Sequence, residues 1–166
     1  MKKVKDVRKQ ALKKFWHSPA YFLAFGFGSG FSKKAPGTYG TVVGIPIYWL
    51  LVHTTSLIYL GVLGLAFFVG VRICQRVSEE LGVEDYPGIV WDEIVGYLVT
   101  MFSLPHTLTW IVLGFALFRL LDILKPQPLR WIDRHIHGGW GIMLDDLLAG
   151  LAACAILHAL KWGVGV

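Results

Sequence analysis

Five carboxylates in this chain stand where a carboxylate is costly. Asp92 and Glu93 occur in GIVWDEIVGYLVTM, Asp122 in LFRLLDILKP, and Asp145 and Asp146 in GIMLDDLLAG, each within an otherwise apolar stretch. Brought together, such groups are driven to protonate by desolvation and by one another unless cations offset them. Arg119, Asp122 and Lys125 are spaced i, i+3, i+6, so two cations share a helix face with Asp122. They neutralise part of the set. The rest is a group of hard oxygen ligands without His or Cys, which suits Mg2+ or Mn2+ rather than Zn2+. Asp92, Glu93, Asp122, Asp145 and Asp146 are therefore the expected metal ligands. A helix dipole accounts for an acid in one first turn, but not for acid pairs on two segments with Asp122 at the far end of a third.

The elements that must position these acids are apolar helices. Of the 166 residues, 55% are hydrophobic and only 16% charged, against about 25% charged in soluble chains, and the mean hydropathy is +0.57. Apolar runs fill residues 42–71, with a polar break at His53-Thr54-Thr55-Ser56, and then 89–104, 107–124 and 142–161. Thirty residues exceed the roughly 20 needed to span a bilayer once, so the first run reads as a hairpin of two segments. Polar loops are expected at 26–41, 72–88 and 125–139. The fold expected is an all-α, multi-pass membrane bundle of about five short helices, some of them tilted or re-entrant.

Charge orients the bundle. Residues 1–14 hold seven Lys/Arg against Asp6 alone, while the remaining residues carry nine basic and ten acidic side chains. Val4, Val7, Ala11, Leu12, Phe15 and Trp16 recur at helical spacing, which predicts a basic amphipathic interfacial helix over residues 1–19, ahead of a membrane-embedded domain at 20–166. With the N-terminus in the cytoplasm, Arg72, Arg76, Lys125, Arg130 and Arg134 fall on the cytoplasmic side. His53, His106 and Lys161 fall on the other. All five acids then lie at one depth, about 5 Å below the cytoplasmic boundary at 1.5 Å rise per residue. Gly96 follows Asp92 by four and Gly150 follows Asp146 by four, small residues that let acid-bearing helices approach. The basic charge is confined to one terminus, so a nucleic-acid surface is not expected. Cys74 and Cys154 fit no metal or redox spacing and read as packing.

A second feature is GFGSGFSKKAPGTYGT, residues 26–41, which is neither a Walker A nor a GxGxxG motif. Its four glycines among the hydroxyls of Ser29, Ser32, Thr38 and Thr41, beside Lys33 and Lys34, suit a phosphate-gripping loop. His135 and His137 form an HxH beside glycines and read as headgroup contacts rather than metal ligands.

Taken in order, GFGSGFSKKAPGTYGT, DYPGIVWDEIVGY, FRLLDILKPQPLRWIDR and GGWGIMLDDLLAG resemble the phosphatidylglycerophosphatase A family. The four blocks reach from residue 26 to 150. The usual first block has proline where this chain has Lys33; Lys34 keeps its place before Ala35-Pro36-Gly37-Thr38 and is the better phosphate candidate. The resemblance implies Mg2+-dependent hydrolysis of phosphatidylglycerophosphate in the cytoplasmic leaflet of a bacterial inner membrane. It also implies a site role for Asp85, and charge stabilisation by Lys34 with Arg119 or Lys125. Water is the expected nucleophile, since no DxDx[TV] arrangement supplies a covalent aspartate. The rival reading is an ion or proton transporter using intramembrane carboxylates. Against it, the acids gather at one boundary rather than along a path, and no inverted repeat is visible.

Overall fold

The computed structural model describes residues 2–127, 130–131, 135–163 and 165, with side chains from Asp6 onward. Arg134 and the side chains of Val4 and the first three lysines lie outside that description. Among the described residues the chain is all-helical. Its helices are α1 (Lys2–Phe15), α2 (Pro19–Ala24), α3 (Pro36–Leu51), α4 (Ser56–Leu81), α5 (Trp91–Thr100), α6 (Leu108–Leu124) and α7 (Gly138–Gly163), and a 3-10 segment, Gly26–Phe31, joins α2 to the link before α3.

The organising element is the shortest of the core helices. α5 has 10 residues, about 15 Å, half the thickness of a bilayer core. From Ile94 to Thr100 every residue is buried, because α7, α3, α4 and α6 pack around it, α7 most extensively. Glycines set this closeness. A Cβ on Gly96 would lie 2.8 Å from the Asp146 carbonyl oxygen and 2.6 Å from Phe118, and one on Gly150 would overlap the Gly96 carbonyl. Dispersion contacts and close backbone approach hold the pair, as small residues do between apolar helices.

Two helices among the described residues, α4 and α7, are long and apolar enough to cross a membrane. Only 28% of the apolar stretch of α4 is buried. Leu57, Ile58, Leu60, Leu65 and Phe68 instead point outward, the reverse of a soluble core helix and an apolar exterior that calls for a partner phase.

Several boundaries differ from the sequence expectation. Residues 72–81 belong to α4 rather than to a polar loop. Gln75–Glu79 and Arg76–Glu80 bond at i, i+4, at 2.5 and 2.8 Å, while Val77, Ser78 and Leu81 are buried on the other face, and Gly82 closes the helix at φ 61°. Likewise α3 begins at Pro36, so the glycine loop ends six residues early and Thr38 lies in a first helical turn. α7 starts at Gly138, four residues ahead of the apolar run. Gly139 there lies so close to α4 that a Cβ would overlap the Val71 carbonyl.

In α1, Val7, Ala11 and Phe15 are buried against the protein itself, in one core with residues of α2 and α4. Leu12 and Trp16 remain outward. Lys14 meets Glu80 at 2.6 Å, and that carboxylate holds the Lys14 ammonium above the ordinary lysine range.

Candidate active site

The cavity follows from where three helices end or begin. α5 starts at Trp91, so Asp92 and Glu93 fall in its first turn. α6 ends at Leu124, two residues after Asp122, and Lys125 leaves it at φ 43°. Because α7 begins early, Asp145 and Asp146 sit two turns inside it rather than one, and both are buried. Asp92, Glu93, Asp122, Asp145 and Asp146 thereby line one cavity of about 340 Å³, together with Arg119, Lys125, Glu84 and Asp85.

The acids are not equivalent. Single oxygens of Asp92, Glu93 and Asp146 lie within 4.8 Å of one another, as do those of Asp122, Asp145 and Asp146. Asp146 belongs to both groups and joins them. Asp145 instead accepts from the Lys125 ammonium. Arg119 Nη1 donates to Asp122 Oδ2 at 2.5 Å and lies 3.8 Å from Glu93 Oε1. Thus each cation is held by an acid of the layer.

Among the described residues seven carboxylates line the cavity with Arg119 and Lys125, an excess of negative charge in which Asp92, Asp145 and Asp146 are buried. Among the described residues, Asp92 Oδ1, Glu93 Oε2 and Asp146 Oδ2 are buried without a hydrogen-bond partner. Such orphaned acceptors are expensive, and a divalent cation with oxygen ligands satisfies them. The donor set fits Mg2+ or Mn2+. Arg119 Nε is also buried without a partner, a donor aimed at no protein acceptor.

Backbone strain gathers here too. Of five non-glycine residues at positive φ among the described residues, Ala35 (47°), Asp85 (49°) and Lys125 (43°) line this cavity. Each costs on the order of 1–3 kcal/mol, and such residues cluster at functional sites. Asp85 is exposed on the loop between α4 and α5.

The glycine-loop residues are distributed differently. Ala35, Pro36 and Gly37 form the cavity wall, and a Cβ on Gly37 would overlap the Glu93 carboxylate and lie 3.1 Å from Arg119 Nη1. Ser29, Ser32, Lys33, Lys34 and Thr38 are not among its lining residues. Ser29 donates to the Gly26 carbonyl at 2.8 Å and Ser32 to that of Lys34 at 2.9 Å. Lys34 is exposed, and Lys33 lines a neighbouring pocket with Ser32. Three residues of the cavity wall escaped sequence reasoning. Glu84 could be found only as the neighbour of Asp85, and Gly37 only through the backbone approach it permits. His137, read as a headgroup contact, lines the cavity, whereas His135 stacks on Trp131 at 4.4 Å.

Fold and cavity define a class: an all-helical protein with apolar helices fit for a membrane, carrying an acidic pocket suited to divalent cations and bordered by Arg and Lys. The chain belongs to the phosphatidylglycerophosphatase A family, whose sequence model matches residues 22–161. It is 41% identical over 165 residues to phosphatidylglycerophosphatase A of Escherichia coli K12, covering 98% of this chain and 95% of that protein. The same-named protein of Haemophilus influenzae is 40% identical over 147 residues, 87% of this chain and 90% of the relative. A Bacteroides thetaiotaomicron protein with the provisional name phosphatidylinositol-3-phosphatase is 36% identical over 151 residues, 86% of this chain and 94% of its own. No solved structure matches the chain.

Proposed function

We propose that this chain hydrolyses phosphatidylglycerophosphate to phosphatidylglycerol and inorganic phosphate, using Mg2+ held in the acidic cavity. The observation that carries the reading is the convergence of five carboxylates from three helices beside Arg119 and Lys125, in a chain 41% identical to a phosphatidylglycerophosphatase A over nearly its whole length.

Asp92, Glu93 and Asp146 on one side, and Asp122, Asp145 and Asp146 on the other, would hold the metal. When bound, a divalent cation neutralises phosphate charge and makes water a stronger nucleophile. Arg119 is fixed by Asp122 and Glu93, and its unpartnered Nε donates to an equatorial phosphate oxygen. Lys125 supplies a second positive charge from across the cavity. Water oxygen bonds to phosphorus as the ester P–O bond breaks; a carboxylate of the layer takes the water proton and passes it to the departing glycerol oxygen. Exposed Lys34 draws the phosphate toward the mouth, and Asp85, in its strained loop, borders the entry. In this reading Ser29, Ser32 and Thr38 shape the loop beside that entry.

The substrate is a phospholipid of the cytoplasmic leaflet, reached by a multi-pass bundle in the inner membrane with its N-terminus and cavity on the cytoplasmic side. Exposed Trp140 is in the first turn of α7, beside the cavity-lining Gly138 and Gly141, and exposed Trp49 and Trp162 are near the far ends of α3 and α7. Along α7 the 22 steps from Trp140 to Trp162 rise about 33 Å, close to one bilayer core, the spacing of paired aromatic belts. Lys9, Lys13, Arg72, Arg76 and Arg130 are exposed at the cavity end, against Lys161 at the other. α3, α5 and α6 would complete the bundle as shorter, partly inserted helices.

The test is phosphate release by purified protein in detergent from phosphatidylglycerophosphate, phosphatidic acid, lysophosphatidic acid and phosphatidylinositol 3-phosphate. Fastest release from the first, with Mg2+ and not with EDTA, is the expected result, and Glu93→Gln should remove it. Ion uptake into proteoliposomes without hydrolysis would replace the phosphatase with the transporter reading.

A further inference from the structure

A second cavity adjoins the acidic one and has the opposite electrostatic character. It is larger, about 530 Å³, and shares Pro36 and Pro87 with the acidic cavity as common wall. No carboxylate lines it among the described residues; Arg8 of α1 and Lys33 do, and Val7, Val83 and Tyr86 give it an apolar surface. Arg8 is half-buried, and its Nη2 donates to the Phe31 carbonyl oxygen at 2.6 Å. That bond uses one of five guanidinium N–H donors and fixes the plane in which the others project.

The division of charge has a chemical meaning. A phosphomonoester carries about two negative charges and can approach seven carboxylates only where cations are bound among them. A phosphodiester carries one, has a weaker claim on such cations, and is repelled by the same acids. A lipid with both groups joined by a short glycerol spacer needs two unlike sites side by side.

Building on the phosphatase reading, we propose that the Arg8–Lys33 pocket is a second anion subsite, which holds the phosphodiester of a glycerophospholipid while its terminal phosphate enters the acidic cavity. The guanidinium and ammonium pair with the diester oxygens, and Val7, Val83 and Tyr86 cover the adjoining glycerol and ester carbons. Helix α1 thereby becomes part of substrate selection. It favours lipids with two phosphates in series over those with a monoester alone.

The experiment uses the full chain in mixed micelles with phosphatidylglycerophosphate as substrate. Phosphatidylglycerol, which has the diester and no terminal phosphate, serves as competitor. Arg8→Gln should raise KM and the inhibition constant of phosphatidylglycerol about tenfold each, the scale of one charge-assisted hydrogen bond, with kcat changed less than twofold. Arg8→Lys should recover most of the loss. Lys33→Gln, altering an exposed side chain that the fold does not need, should shift both constants in the same direction. An unchanged inhibition constant in Arg8→Gln and Lys33→Gln would overturn the subsite. So would a fall in kcat alone, the signature of α1 loosened from Phe31. If wild type hydrolyses no lipid, the phosphatase reading fails separately. Binding of phosphatidylglycerol to wild type and Arg8→Gln in nanodiscs then decides the subsite, with weaker binding by Arg8→Gln supporting it and equal binding overturning it.

Discussion

The Lys125 ammonium, at the left-handed end of α6, pairs with the Asp145 carboxylate two turns inside α7. This pair ties the end of one acid-bearing helix to the body of another, and it places a cation on the rim of the acidic layer. Lys125→Ala would leave a mostly buried carboxylate without that charge. The expected cost is about 2 kcal/mol, between the values for exposed and fully buried pairs. Added Mg2+ should restore part of the lost melting temperature, because a bound cation takes over the neutralising role. Thermal unfolding of both proteins with and without Mg2+ checks this.

Gly37, in the first turn of α3, forms part of the cavity wall. Gly37→Ala puts a Cβ into the Glu93 carboxylate and 3.1 Å from Arg119 Nη1. Since it lies in the first turn of α3, the helices should still assemble. Phosphate release should fall about 100-fold, the effect of misplacing reacting groups by about 1 Å, while the far-ultraviolet circular dichroism is unchanged.

Gly96 and Gly150 hold α5 against α7. Gly96→Val should push the helices apart at Asp146 and Phe118, with a loss of 1–3 kcal/mol or more, as for overpacking in general. Size-exclusion chromatography in detergent should show the variant broadened or aggregated, with metal-dependent stabilisation lost in parallel.

Much of the site was legible because it depends on residue type and depth. Asp92, Glu93, Asp122, Asp145 and Asp146 could be gathered from three segments by counting along alternating helices, and the structure brings all five into one cavity. The unequal positions of Asp145 and Asp146 follow from the 100° turn between helical neighbours; that Asp146 joins the two groups required the packing. The extent of α4 was hidden because Arg72–Glu80 reads as polar, while its buried face, Val77, Ser78 and Leu81, is too short to give a clear period. The short α5 was overextended to residues 89–104, because an apolar run does not reveal where a helix ends against Met101–Leu104. Lys34 was set apart from Lys33 only by its place before Ala35-Pro36-Gly37-Thr38, which says nothing of where either side chain lies. Their different surroundings come from the left-handed turn at Ala35, a conformation that alanine does not announce.

Divalent cation binding should be visible without turnover. At a concentration 100 times its dissociation constant, Mg2+ should stabilise the fold by about 2.7 kcal/mol. EDTA should reverse the shift, and Asp146→Asn, which alters the carboxylate common to both acid groups, should abolish it. An equal Mg2+ shift in Asp146→Asn would move the cation elsewhere.

The central claim is tested most directly by the rate of phosphate release from phosphatidylglycerophosphate by purified wild type and Asp146→Asn, each in saturating Mg2+ and in EDTA. The account expects Mg2+-dependent release by wild type, and a rate lower by about 1,000-fold or more in the folded variant, the scale of losing a principal charge-stabilising group. Undiminished release by Asp146→Asn, or by wild type in EDTA, would contradict it.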